Sequence, residues 1–190
     1  VLGALIERDR TGEGAVVDVS LYETTLAYIG YHLAGYLADG TIPQGQGTVF
    51  PMVAPYQVFP TRDGELMIAG GNDRLFAAVC DVVGLPELVD DPRFETNPGR
   101  VARREELYAI LVERLREEDT ATWHERLTAA GVPTAPVADV RDVIESPQTE
   151  ALGIMQPLDH PRIAGLQLPA LPLSFDRERV VHPSAPPDVG

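Results

Sequence analysis

Apolar and polar positions repeat with two different periods along this chain, and the changes of period mark its elements. Val1, Leu2, Leu5 and Ile6 recur at helical spacing, and Gly12 follows where a helix stop favours positive φ. Ala15, Val16, Val17 and Val19 form a compact, largely β-branched run between Gly14 and Ser20, which predicts a short strand over 15–19. Residues 21–37 are mostly apolar but include Glu23, Gly30, His32 and Gly35. A membrane span needs about 20 predominantly apolar residues, so this stretch predicts a buried or interface helix, with His32 as a packed helix residue and no membrane partner. Asp39, Gly40 and the 43–47 segment break the pattern and mark a boundary.

The middle of the chain alternates clearly. Residues 56–61 and 66–69 read as two strands joined through Arg62, Asp63 and Gly64, a hairpin signal because Asp and Gly tolerate positive φ. Pro60 lacks a donor and points to an edge strand. Asn72 suits the N-cap of a helix through Val83, which Gly84 closes ahead of Pro86. Residues 103–116 give a second helix, with Leu107, Ile110, Leu111 and Leu115 on one face. Thr122 and Glu125 have capping-box spacing for a third, whose stripe is Trp123, Leu127 and Ala130 and whose end is Gly131 and Pro133. Prolines are frequent from there on, and the 185–188 segment is expected to lie extended on a surface. No internal repeat is visible. The middle third therefore reads as a small α+β domain.

Charge narrows the possible partners. Fifteen Arg, no Lys and 29 acidic residues give a net charge of −14, which repels phosphate backbones and argues against nucleic acid. The single cysteine, Cys80, excludes an intramolecular disulfide and fits a reducing compartment, so a cytoplasmic protein is expected. Its spacing with Phe76, Val79 and Val83 predicts a buried thiol.

The common catalytic patterns are missing. The pairs Gly12 and Gly14, and Gly45 and Gly47, lack the third glycine of a dinucleotide fingerprint. His124 and Glu125 are followed by Thr128 where a zinc-protease pattern requires His, so no metal is expected. His160 and His182 each precede Pro in expected loops, and no nucleophile elbow is present.

A more specific signal lies in the order of short motifs. Ala4, Leu5, Arg8, Thr11, Gly12 and Gly14 are followed by Val17, Asp18, Val19, Ser20, Leu21 and Glu23. Then come Ala54, Pro55, Tyr56 and Phe59, the Asp63 and Gly64 pair, and the 71–76 run. Asp91, Pro92, Arg93 and Phe94, then Asn97 and Arg100, follow. Trp123, the 130–133 run, Pro136 and Val137, and Ser146, Pro147 and Gln148 complete the series. This ordered set resembles the family III CoA-transferases, the CaiB/BaiF group, whose relatives include formyl-CoA transferase and the α-methylacyl-CoA racemases.

The resemblance implies an α/β protein with a small α+β domain flanked by segments of a Rossmann-like large domain. Residues 1–40 would end the large domain and cross over, 41–145 would form the small domain, and 146–190 would return. It implies an intertwined homodimer, acyl-CoA and carboxylic acid as substrates, and coenzyme A as substrate with no covalently bound cofactor. CoA would move through an aspartyl-CoA thioester. By the family pattern the nucleophilic aspartate stands upstream of Val1, so this chain is expected to be a C-terminal portion, inactive alone, without a catalytic residue. Asp18 is expected to be structural. Substrate-binding positions carried over are Gly45, Gln46 and Gly47 in a glycine-containing cover over about residues 44–51, with Tyr56 and Asn72. Asn72 stands where racemase members carry a glutamate, which favours a transferase. An acyl-CoA racemase and a non-catalytic oligomerisation or binding domain remain alternatives.

Overall fold

The computed structural model describes residues 1–181 and 184–186. The chain forms two compact units, Val1–Gly47 and Thr48–Gly190. His182 and part of the 185–188 segment lie outside the described residues.

The first unit is helical. Helix α1 (Leu2–Thr11) ends as expected at Gly12, which adopts φ 78° and donates its N–H to Arg8 O. Glycine is suited to this left-handed position because it has no Cβ to clash. Ser20 then caps α2 (Leu21–Tyr28) by accepting from Glu23 N–H. Helix α3 (Gly30–Asp39) closes at Gly40, φ 76°. The long helix expected over 21–37 is thus divided at Ile29 (φ −91°, ψ 13°). Gly30, a weak helix former, follows that break.

The strand expected at 15–19 does not form. A β-branched run becomes a strand only where a neighbour accepts its N–H groups and donates to its carbonyls, and this unit supplies none. Val16 is 87% exposed. His32 is exposed rather than packed, touching Tyr31 edge to face. No residue of α1, α2 or α3 is buried. Among the described residues no helix is long and apolar enough to cross a membrane.

The second unit is built on an antiparallel sheet in the order β1 (Tyr56–Pro60), β2 (Glu65–Ala69), β3 (Thr134–Pro136). Tyr56 faces Ala69 and Pro60 faces Glu65, so the Pro60 strand lies at an edge as expected. Gln57, Phe59, Leu66 and Ile68 point to the covered face. The turn between β1 and β2 differs from the expected chemistry. Neither Asp63 nor Gly64 has positive φ. Glycine is required at 64 for space, since a Cβ there would stand 2.9 Å from Thr120 Oγ1. Asp63 Oδ1 instead accepts from Thr120 N–H (2.8 Å) and Thr120 Oγ1 (2.9 Å), tying the turn to a helix.

Helices α4 (Asp73–Val82), α5 (Asn97–Ala102), α6 (Arg104–Leu115) and α7 (Thr120–Ala129) accompany the sheet. Phe76, Val79 and Cys80 from α4 meet Leu107, Leu111 and Leu115 from α6, with Trp123 and Leu127 from α7, in one core with Phe59, Leu66 and Ile68. Trp123 Nε1–H is satisfied inside it by Leu115 O at 2.8 Å. Helix α7 starts earlier than expected: Asp119, not Thr122, is its cap, accepting from Thr122 N–H. Asp119 precedes the first turn in extended backbone, which an N-cap requires. Ala130 is the exposed C-cap, outside the apolar stripe. Gly131 (φ 77°) then reverses the chain.

Beyond β3, Asp139 and Asp142 form a reciprocal capping box for α8 (Val140–Glu145). Ser146 caps α9 (Pro147–Leu152). Two small hairpins follow, β4 (Met155–Pro157) with β5 (Gln167–Pro169), and β6 (Ser174–Phe175) with β7 (Glu178–Arg179).

Candidate functional site

Three polar side chains from α5 and α6 grip one stretch of backbone. Asn97 and Arg100 are spaced i, i+3 on α5, and across the break at Arg103 Arg104 opens the α6 face that carries Leu107 and Leu111. Arg104 Nη2 donates to Pro51 O at 3.0 Å. Asn97 Nδ2 donates to Met52 O (3.0 Å), and its Oδ1 accepts from Ala54 N–H (3.2 Å). Arg100 Nε donates to Ala54 O at 2.8 Å.

Arg100 is fully buried. Its Nη1 donates to Phe94 O (3.0 Å) and its Nη2 to Gly71 O (3.2 Å) and Asp73 Oδ1 (2.8 Å). The guanidinium also lies 4.5 Å from the Phe76 ring centroid. Backbone carbonyls are its main partners, because the Asp73 side chain is 78% exposed. Arg104 is only half-buried, and burial lowers its pKa. Its Nη1 is buried without a hydrogen-bond partner, beside a shallow dent, too tight for a water molecule, that Gln57 and Tyr108 also line.

The same stretch is pinned on its other side. Thr48 Oγ1 accepts from Val58 N–H at 3.1 Å. Phe50 N–H donates to Tyr56 O at 2.9 Å, and the two rings meet at 5.2 Å. Val53 fills the space above Gly71, where a Cβ would come within 2.7 Å of its side chain.

The five positions expected to bind substrate fall into different settings. Gly45, Gln46 and Gly47 are exposed at the end of the first unit, with Gly47 at φ 61°. Tyr56 is half-buried at the head of β1. Asn72 is exposed, and its Oδ1 accepts from Leu75 N–H at 2.9 Å as the α4 cap. Within the second unit no hydrogen bond or ring contact joins Tyr56 to Asn72. The grip of Asn97, Arg100 and Arg104 escaped the sequence reading. A signal was present only for Arg104, which stands three residues before Leu107 on the buried stripe of α6.

Other reactive groups are occupied or quiet. Burial pushes the Cys80 thiol up to about 12, in line with the expected buried thiol. Hydrogen bonds from the Arg93 side chain and N–H hold Asp91 down to about 2, and Arg93 also pairs with Glu106. Thr120 holds Asp63 below the usual carboxylate range, and Thr122 does the same for Asp119. His124 Nδ1 lies 2.8 Å from Thr134 Oγ1. An open cleft of about 380 Å³ borders α8 and α9, lined by Glu145 and Glu150 and by no basic side chain. No metal-binding cluster exists among the described residues.

The model of CoA-transferase family III matches residues 1–190, and the chain belongs to that family. It is 32% identical over its full length to succinyl-CoA:glutarate CoA-transferase from Homo sapiens, covering 43% of that protein. It is 39% identical over 89% of its length to acetyl-CoA:oxalate CoA-transferase from Acetobacter aceti, covering 45% of that one. A CaiB/BaiF family protein from Brucella suis superposes with a TM-score of 0.82 at 34% identity, over 99% of this chain and 48% of the other. The chain thus spans less than half the length of these relatives. Its mixed α/β makeup, about 44% helix and 12% strand, agrees with that family's structures and with the fold class expected from sequence.

Proposed function

We propose that the protein carrying this chain moves CoA between an acyl-CoA and a free carboxylic acid. The observation that carries the reading is the similarity, over all 190 residues of this chain and 43% of the relative, to a succinyl-CoA:glutarate CoA-transferase. Other relatives are named for oxalate, D-citramalate and mesaconate, so a small dicarboxylic acid is the proposed acceptor. In the proposed route an aspartate carboxylate attacks the thioester carbonyl, giving a mixed anhydride and CoA thiolate. The thiolate then attacks the aspartyl carbonyl, releasing the donor acid and leaving an aspartyl-CoA thioester. The acceptor carboxylate attacks that thioester and frees the thiolate, which finally takes the acceptor's acyl group and restores the aspartate. Splitting the exchange this way lowers each barrier, provided water is kept from the anhydride.

The nucleophile in this reading is none of the aspartates of residues 1–190. Asp63 is committed to Thr120, Asp91 to an ion pair with Arg93 and Asp119 to a helix cap, and this supports it. Gly45, Gln46 and Gly47 would cover bound substrate, with Tyr56 and Asn72 nearby in that role. Neutral Asn72, engaged as a helix cap, suits a transferase better than a racemase that needs an ionised carboxylate there. The unburied apolar faces of α2 and α3 support an intertwined homodimer. A cytoplasmic location and inactivity of the 190-residue chain alone belong to the same proposal.

The test uses the protein isolated from its source cells, incubated with succinyl-CoA and labelled glutarate. Label appearing in the acyl-CoA pool supports the proposal. Loss of α-deuterium from a branched acyl-CoA without label exchange would replace it with a racemase.

A further inference from the structure

The segment that follows Gly47 is held in a way its own sequence does not require. Residues 48–54 contribute no helix or ladder strand, yet hydrogen bonds hold Thr48, Phe50, Pro51, Met52 and Ala54. Thr48 and Phe50 are tied to β1. Pro51 O, Met52 O and Ala54 are taken by Arg104, Asn97 and Arg100. The segment before it is the opposite. Residues 40–47 are exposed, contain three glycines, and make only local hydrogen bonds, such as Thr41 N–H to Asp39 and Gln44 to Ile42. Gly40 and Gly47 both adopt positive φ, where a side chain would be strained.

Rigid backbone and free backbone therefore meet within a residue or two of Gly47. We infer that Asn97 and Arg104 are positioning residues: with Arg100 they clamp 51–54, so that motion of the glycine-bearing 40–47 segment ends at Thr48. A hinge with one end fixed returns to the same place after each excursion, as a substrate cover must. The catalytic consequence rests on the reading of Gly45, Gln46 and Gly47 as substrate contacts. The clamp itself does not.

The experiment is amide hydrogen exchange on the full-length protein and on Asn97→Ala, Asn97→Asp and Arg104→Met, alongside CoA-exchange kinetics. Arg100 is left intact because its loss threatens the fold. In the parent, amides of 40–47 should exchange fast and Ala54 N–H slowly. Asn97→Ala should speed Ala54 exchange by about five- to tenfold, the size expected for one lost hydrogen bond. Asn97→Asp keeps the acceptor and should restore most of that protection. Ala69 N–H, held by Pro133 O at 3.0 Å, reports the sheet and should not change. Both Asn97→Ala and Arg104→Met should raise KM for acyl-CoA more than they lower kcat.

Equal loss of protection at Ala54 and Ala69 would overturn the clamp, since the side chains would then support the whole unit. So would parent exchange at 51–54 as fast as at 40–47. Local loss at Ala54 with unchanged kinetics in an active enzyme would overturn the positioning role. A parent with no CoA exchange but the expected pattern at Ala54 would refute the proposed function and support the clamp.

Discussion

Replacing Arg100 by Met should destabilise the protein by about 4 kcal/mol, while replacing its ionic partner Asp73 by Ala should cost at most about 1 kcal/mol. The difference follows from where the guanidinium directs its donors. Three bonds, to the carbonyls of Ala54, Phe94 and Gly71, end on buried residues that water cannot reach. Charge-assisted bonds of this kind contribute about 1.5–3 kcal/mol each, and a carbonyl left unpaired in a core adds a desolvation penalty. Met recovers part of the apolar contact with Phe76 but none of the bonds. Their gross sum thus falls to about 4 kcal/mol, near the range measured when one member of a buried charged network is removed. The Asp73 carboxylate is mostly in water, so its Coulomb attraction is screened. Urea unfolding followed by Trp123 fluorescence measures both variants under one condition. For a chain of this size the Arg100→Met melting point should fall by roughly 10 °C. A cost for Arg100→Met under about 1 kcal/mol would refute this role for the buried guanidinium. So would an equal cost for Asp73→Ala, because the ion pair would then carry the effect.

Three further outcomes follow from local geometry. Gly71→Ala should cost about 1–3 kcal/mol through overlap with Val53, and adding Val53→Ala should recover much of it in a denaturation cycle. Cys80 should resist a thiol-reactive disulfide reagent at pH 8 until denaturant is added, because burial suppresses its thiolate; full labelling of native protein within minutes would contradict this. Asp91 has a folded pKa of about 2, below its unfolded value, so its contribution is present above about pH 4 and is lost as pH falls toward 2. Asp91→Asn should therefore flatten acid unfolding within that window, as followed by circular dichroism, and leave the neutral region's slope unchanged.

Where one residue decides an element alone, the sequence is a good guide. Gly12, Gly84 and Gly131 each stop a helix at positive φ, Asn72 caps one, and Pro60 marks an edge. Where a partner decides, local pattern misleads. Residues 15–19 have the composition of a strand but lack a neighbouring ladder, and residues 134–136 form one despite Pro136 because β2 is there to receive them. Asp63 and Gly64 looked like a turn chosen for its dihedral angles, but Thr120 determines both, through a hydrogen bond and through space. The clamp was hidden for the same reason. Nothing near Asn97 in the chain shows that Met52 and Ala54 will lie beside it. The family signature was legible because ordered motifs record such partnerships without describing them.

The outer rim of β1 has a consequence for how copies of this protein meet one another. In an antiparallel pair alternate residues face the neighbour, so Tyr56, Val58 and Pro60 turn their backbone outward. Tyr56 gives its carbonyl to Phe50, Val58 gives its N–H to Thr48, and Pro60 has no N–H to offer. At the opposite rim Pro136 likewise presents no donor. A foreign strand arriving at the rim of β1 finds one acceptor and one donor already taken and a third position without a donor. The stretch that leads from the glycines into the sheet thereby also blunts it against fibrous self-association.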